Sequence, residues 1–284
     1  MRPAALPALV GCLLAGCGGA PAGPAAVSPE PPAPPQRIVS INPCADSLLR
    51  EIADPAQIRA ISHYSKDPRA TSVPLAWAAS YPATSGTAEE VLALEPDLVV
   101  AGPHVALSTI AALERLGIAL VKLPVPKSVA ESQAQIAELG RVIGQPVRAS
   151  ALVDRIDAAV ARAGSSTPPL DALIWQGGGL VPGAGTLADE LLRMTGHANA
   201  ASRHGLGPWG VLGLERLVAA PPAILYAGER RGEGDRLLDH PVIDKLSARI
   251  AVEPYPGRLL FCAGPTIIAA TAHLAASRQA HHAH

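Results

Sequence analysis

Short apolar runs alternate with stretches whose apolar residues recur every three to four positions, and this alternation starts at Arg37. The runs at 38–41, 58–62, 98–101 and 119–123 predict strands. Helical spacing between them predicts a helix over 46–52, after the Asn42-Pro43 turn, and another over 109–116 that Gly117 stops. Strands and helices in alternation are the signature of βα units around parallel strands, so the first half of the chain reads as one α/β lobe.

The rhythm then changes. Ser128 and Glu131 stand in the S-x-x-E spacing of a capping box, opening a helix that runs to about residue 143, where Gly144 closes it. Pro146 occupies a natural first helical position for a second helix ending near residue 163, before Gly164. Its apolar residues Ala149, Leu152, Val153, Ile156, Ala159 and Val160 keep helical spacing. Strand and helix signals resume with strands at 170–175, 224–226 and 259–261, a helix at 187–194 ended by Gly196, and a last helix from about Pro265. The predicted plan is an N-terminal lobe over 37–145, a connecting helix over 146–164 and a C-terminal lobe over 165–284.

An internal echo supports two halves. Residues 89–102 align without gaps on residues 215–228: each segment starts with Glu, carries Pro seven residues later, and runs through a strand to Ala-Gly. One such segment per lobe, at the same point in each, reads as a pair of pseudo-equivalent units.

Composition narrows the function. With 284 residues, 49% hydrophobic and 17% charged, the chain can bury a large core, and a net charge of −1 gives no reason to expect nucleic acid as a partner. The N-terminus has Arg2, an apolar stretch over 6–15 too short to span a bilayer, and Leu14-Ala15-Gly16-Cys17, which looks like a bacterial lipobox. Residues 1–17 therefore read as a lipoprotein signal peptide with Cys17 as the lipidated residue. Residues 18–36, rich in Pro, Ala and Gly, read as a flexible tether. The reading places the protein in the cell envelope, on the periplasmic side, anchored by lipid. Cys44 and Cys262 then face an oxidising compartment, but their spacing does not decide whether they pair.

Several segments in order resemble the iron-chelate and cobalamin periplasmic-binding family, the helical-backbone class of solute-binding proteins. They are Arg37 to Pro43, Glu89 to Val100, Gly185 to Leu192 and Trp209 to Leu217, and the likeness extends over 37–276. The resemblance implies two Rossmann-like α/β lobes joined by a long helix, a ligand cleft between them, a monomer, and delivery of cargo to the permease subunits of an ABC transporter. It implies that Glu89 and Glu215, one per lobe, meet arginines of those permeases; the alternative is that both carboxylates simply favour helix N-termini. It also aligns Tyr64 and Trp209 with aromatic positions that contact cobalamin in other members, while Gly102 stands where another aromatic would be.

Ligands of open α/β sheets sit beyond the carboxyl ends of the strands. Loops there carry Asn42, His63, His104, Arg203 and His204 as further candidate ligand contacts, with Lys66 and Arg203 able to meet a carboxylate-bearing ligand. His63, His104, His204, Cys44 and Cys262 also raise haem ligation or bare-metal capture as an alternative, although none has a tight metal-ligand spacing, so no metal site is assigned. No P-loop, G-x-S-x-G or H-E-x-x-H motif is present, and Gly177-Gly178-Gly179 reads as a turn, so no catalytic residue is assigned. An envelope enzyme on the same fold is the remaining alternative. No resident cofactor is expected; the ligand classes are cobalamin, a ferric siderophore or haem.

Overall fold

The computed structural model describes residues 33–228 and 239–282. The proposed signal peptide, Cys17 and nearly all of the tether lie outside them. In the first half the order is β1 (Ile38–Ser40), α1 (Pro43–Ile52), β2 (Ile58–Ser62), α2 (Leu75–Ala79), β3 (Ala83–Thr84), α3 (Ala88–Ala93), β4 (Leu98–Ala101), α4 (Leu107–Arg115) and β5 (Leu120–Lys122). Two helices follow, α5 (Val129–Val142) and α6 (Pro146–Ala163). The second half holds β6 (Leu170–Trp175), β7 (Leu180–Pro182), α7 (Leu187–Met194), β8 (His197–Asn199), β9 (Trp209–Val211), α8 (Leu214–Ala219), β10 (Ile224–Ala227), α9 (Pro241–Leu246), β11 (Ala251–Pro254) and α10 (Thr266–His282).

Two parallel sheets result, ordered β3-β2-β1-β4-β5 and β11-β10-β6-β8, with β7 and β9 forming a separate antiparallel pair. The orders correspond: β4 lies between β1 and β5 as β10 lies between β6 and β11. The sequence echo falls on equivalent parts, with Glu89 and Glu215 each in the first turn of a six-residue helix, α3 and α8, that leads into β4 and β10.

Side-chain parity along the strands separates the layers. Ile38, Leu98 and Val100 of the first sheet, and Ala172, Ile174, Ile224 and Tyr226 of the second, all enter one continuous core with α1, α5, α6, α7 and α10. The alternate residues face outward. Val39, Val99 and Ala101 pack with α3 and α4, whereas Leu173, Trp175 and Leu225 pack with α8 and α9. Strands covered on both faces explain why these segments read as unbroken apolar runs rather than as alternating ones.

Local chemistry sets the helix ends. Asn42 caps α1, its Oδ1 accepting from the N–H groups of Cys44 (2.7 Å) and Ala45 (3.1 Å), and Pro43 takes the first helical position. Ser128 caps α5 through the N–H of Glu131 (3.0 Å), but the return half of the expected capping box differs: the Glu131 carboxylate accepts from Lys127, one residue earlier (2.7 Å). The start of β1 is tied down by Asp97, whose carboxylate accepts from the N–H groups of Gln36 and Arg37.

Four predictions from sequence need correction. The segment at 259–261 is no strand; the outer strand of the second sheet is β11, and Gly257–Leu259 forms a 3₁₀ turn. Helix α1 begins at Pro43, three residues before its predicted start, because Asn42 caps it, and α4 begins two residues before the predicted start and ends one residue earlier. The short β3, β8 and antiparallel β7–β9 pair went unpredicted, since strands of two or three residues carry almost no periodic signal.

Helix α6 packs against α1, α5 and α10, burying Ala149, Leu152, Ile156, Ala159 and Ala163 along one stripe. Small residues allow close approach: a Cβ at Gly140 of α5 would overlap that of Ala149. Replacing Gly140 with Val should lower unfolding free energy by about 1–3 kcal/mol despite removing a helical glycine. Chemical denaturation of the two forms measures this, and equal midpoints would contradict such tight packing.

Candidate functional site

A cavity of about 500 Å³ opens between the two halves, within the range of about 300–1,000 Å³ usual for small-molecule sites. The first half contributes Asn42 after β1, Pro103 and His104 after β4, the 123–127 segment after β5, and Gln135 of α5. The second half contributes Gly185 to Ala188 at the start of α7, Pro208 and Trp209, and the 260–263 segment before α10. Apart from Gln135, the first set stands at the carboxyl ends of parallel strands, where open α/β sheets bind ligands.

The wall is mainly apolar. Of the eight aromatic residues in the chain, Trp175, Tyr226 and Tyr255 lie wholly in the core, whereas Trp209 (47% exposed) and Phe261 (53% exposed) face the cavity. Among the described residues Lys127 and His104 are its cationic and titratable side chains, and no Asp or Glu lines it.

Cys44 and Cys262 form a disulfide across this cavity wall, 218 residues apart in sequence. It ties the first turn of α1 to the segment preceding α10, settling a pairing the sequence left open. The Ser72 hydroxyl donates to Cys262 Sγ (3.2 Å). Two further links cross between halves: Val129 N–H donates to Glu190 Oε2 (2.7 Å), and Gly264 N–H donates to Ser132 Oγ (2.9 Å). A native disulfide closing so long a loop contributes about 2–5 kcal/mol.

Asn42, His104 and Trp209 come together at the cavity; the other four candidates lie apart from its lining. His63 and Tyr64 occupy the 3₁₀ turn after β2 with rings 4.0 Å apart, and His63 Nδ1 sits 3.2 Å from the carbonyl of Thr84. Arg203 is held by Asp171 (2.6 Å) near the amino end of β6. His204 is buried, with no hydrogen-bond partner for Nε2 among the described residues, and burial together with the charges of Arg203 and Arg216 lowers its pKa. With both cysteines paired, the thiolates considered for metal capture are gone. Among the described residues no group of three or more His, Cys, Asp or Glu side chains could hold a metal ion.

Sequence reasoning passed over Phe261 and the Leu123-Pro124-Val125-Pro126-Lys127 segment. The rule about strand carboxyl ends applies to the latter as to the other loops. Phe261 was hidden inside a stretch read as strand. Glu89 and Glu215 are exposed.

The buried Asp46 of α1 underlies this region. Its Oδ2 accepts from Ser65 Oγ (2.6 Å) and Ser62 N–H (3.0 Å), fastening the turn that carries His63 and Tyr64, while Oδ1 has no partner among the described residues. Burial raises its pKa to about 7, against the lowering pull of the Ser40 and Ser65 hydroxyls and the Ser62 N–H.

This architecture has counterparts. The sequence profile of the periplasmic binding protein family matches residues 38–250. The chain belongs to that family. Among curated sequences, the cobalamin-binding protein of Halobacterium salinarum is 24% identical over 200 residues, 68% of this chain and 54% of that protein. The chain thus spans about half the length of the curated relatives it matches. Among solved structures, the vitamin B12 binding protein BtuF of Vibrio cholerae superposes with a TM-score of 0.68 at 17% identity, covering 87% of this chain and 98% of that one. The heme-binding protein HutB of Vibrio cholerae gives 0.69 at 17% identity, covering 86% and 98%. The heme-binding protein RhuT of Roseiflexus sp. RS-1 gives 0.65 at 21% identity, covering 85% and 98%. These likenesses establish the shared fold of two α/β lobes and a helical connection.

The raised pKa of Asp46 has a definite consequence for stability. The folded state keeps the Asp46 proton from about pH 4 to about pH 7, where the unfolded chain has lost it. The stabilisation is therefore complete below the unfolded value of 3.8 and is lost as pH rises towards 7. Unfolding free energies measured from pH 4 to 8 should show a downward component that Asp46→Asn removes, and parallel curves for the two proteins would refute it.

Proposed function

We propose that this chain captures a metal-chelating macrocycle of the cobalamin or haem class and delivers it to the permease subunits of an ABC importer. The carrying observation is the cavity between the halves, faced by Trp209 and Phe261 and with no carboxylate among the described residues of its wall. Aromatic faces give a flat ring system large contact area at low entropic cost. A bare cation would need a cluster of His, Cys, Asp or Glu donors, and no group of three or more is assembled among the described residues. A highly anionic ferric siderophore would call for several cations, and the described residues of the wall offer one Lys and one His. The cobalamin- and heme-binding relatives support the same ligand class. Binding rather than catalysis is the function this reading assigns.

Ligand titration with thermal-shift detection tests it. Cyanocobalamin or haemin should raise the melting temperature in proportion to the logarithm of its concentration above Kd. Trp209→Ala should weaken binding about 10- to 100-fold, and no shift with either compound would sink the proposal. A specific observation favours haem as the second reading: His104 is an exposed imidazole on the cavity wall. A haemin absorption band that moves in His104→Ala would select it over cobalamin.

Delivery rests on Glu89 and Glu215, exposed in the first turns of the equivalent helices α3 and α8. Paired carboxylates of this kind suit a two-fold basic partner, and each is weak alone. Lipid on Cys17 would hold the protein at the membrane through residues 18–36; among the described residues no helix is long and apolar enough to cross one. Import should fail in a Glu89→Arg, Glu215→Arg variant that keeps its ligand affinity and abundance, and Cys17→Ala should shift the protein from the membrane to the soluble envelope fraction. Unchanged uptake, or unchanged fractionation, would count against the respective assignment.

A further inference from the structure

Resting on the ligand class proposed above, we infer that Asn42 and Gly102 act as one unit that presents an oriented amide donor to the ligand, so that the ligand carries an oxygen acceptor at this wall.

Asn42 Oδ1 accepts two backbone N–H groups of α1, from Cys44 and Ala45. An amide whose oxygen is held in this way has a fixed orientation, because a flipped group would place Nδ2 against two donors. Nδ2 is therefore turned away from the helix, and it makes no hydrogen bond within the described residues while Asn42 lines the cavity. Two N–H donors are left for whatever fills the space.

Gly102 makes that orientation possible. It follows β4, next to β1 in the sheet, and a Cβ there would overlap Nδ2 and come within 2.7 Å of Cγ of Asn42. A flexible side-chain tip could usually step aside, but this one is pinned by its two cap bonds. The residue types at 42 and 102 are thus coupled: a side chain at 102 would expel the amide and take over its part of the wall. His104 stands two residues further along the same loop, so the donor sits beside the wall's imidazole in a mainly apolar lining.

Replacement variants separate the donor from the cap. Asn42→Ser keeps an oxygen able to cap α1 but removes the amide, so its melting temperature should stay near wild type while affinity falls about 3- to 10-fold. Asn42→Asp distinguishes the two acceptor chemistries. A primary amide on cyanocobalamin can turn its own N–H towards the new carboxylate and retain binding, whereas a haemin carboxylate is repelled. Gly102→Ala should lower the melting temperature by about 2–4 °C through loss of the cap. Adding Asn42→Ser to it should restore stability without restoring affinity.

Wild-type affinity in Asn42→Ser, for whichever compound binds, would overturn the inference. Should neither cyanocobalamin nor haemin bind the wild-type protein, the proposed ligand class fails. The unit is then judged on stability alone: an unchanged melting temperature in Gly102→Ala overturns it, and a fall rescued by Asn42→Ser supports it.

Discussion

Both sheets bury one face against the same helices. Ile38, Leu98 and Val100 from one side meet Ile174, Ile224 and Tyr226 from the other through α1, α5, α6, α7 and α10, forming one uninterrupted core. Pulling the halves apart would expose apolar surface on every one of those elements, at roughly 25 cal/mol for each Å². The cavity persists where that shared layer stops, at the carboxyl ends of the strands. The Cys44–Cys262 disulfide and the hydrogen bonds from Val129 to Glu190 and from Gly264 to Ser132 close the junction around it. A cleft so fastened favours small adjustments of its rim over wide opening of two hinged bodies.

The chemistry of the site follows from what surrounds it. The apolar wall leaves little water to screen the few polar groups it carries, so each of Asn42, His104 and Lys127 matters more to ligand selection than a surface group would. Beneath the wall, Asp46 holds the first-half turns together, its Oδ1 without a partner among the described residues. A fully buried carboxylate is costly when ionised, which is why proton binding and folding are coupled at this residue.

Much of this fold was legible in the linear chain. The strands at 58–62, 98–101 and 170–175 and the helices at 146–163 and 187–194 have the predicted bounds. Each is long enough, or apolar enough, for its pattern to stand out, and capping or breaking residues such as Ser62, Thr186 and Gly164 mark several of the boundaries. The doubled segment at 89–102 and 215–228 was readable for a related reason: equivalent places in two sheets require the same succession of turn, helix and strand. Short elements escaped. β8 and the β7–β9 pair exist because neighbouring backbone satisfies their hydrogen bonds, and nothing local in Val181 or Val211 announces that.

The site was legible only in outline. Residue order determined the βα rhythm, the long helix between the halves, the cap at Ser128, and the loops from which a ligand site could be drawn, because these depend on periodicity and on neighbours within a few residues. Tertiary structure decided that Asn42, His104 and Trp209 share a cavity, while Arg203 is occupied by Asp171 and His204 is buried. It also decided that Cys44 meets Cys262 and that Gly102 makes room for the Asn42 amide. The physical reason is that each of these is a contact between segments distant in the chain, and such contacts are created by packing two sheets on one helical layer.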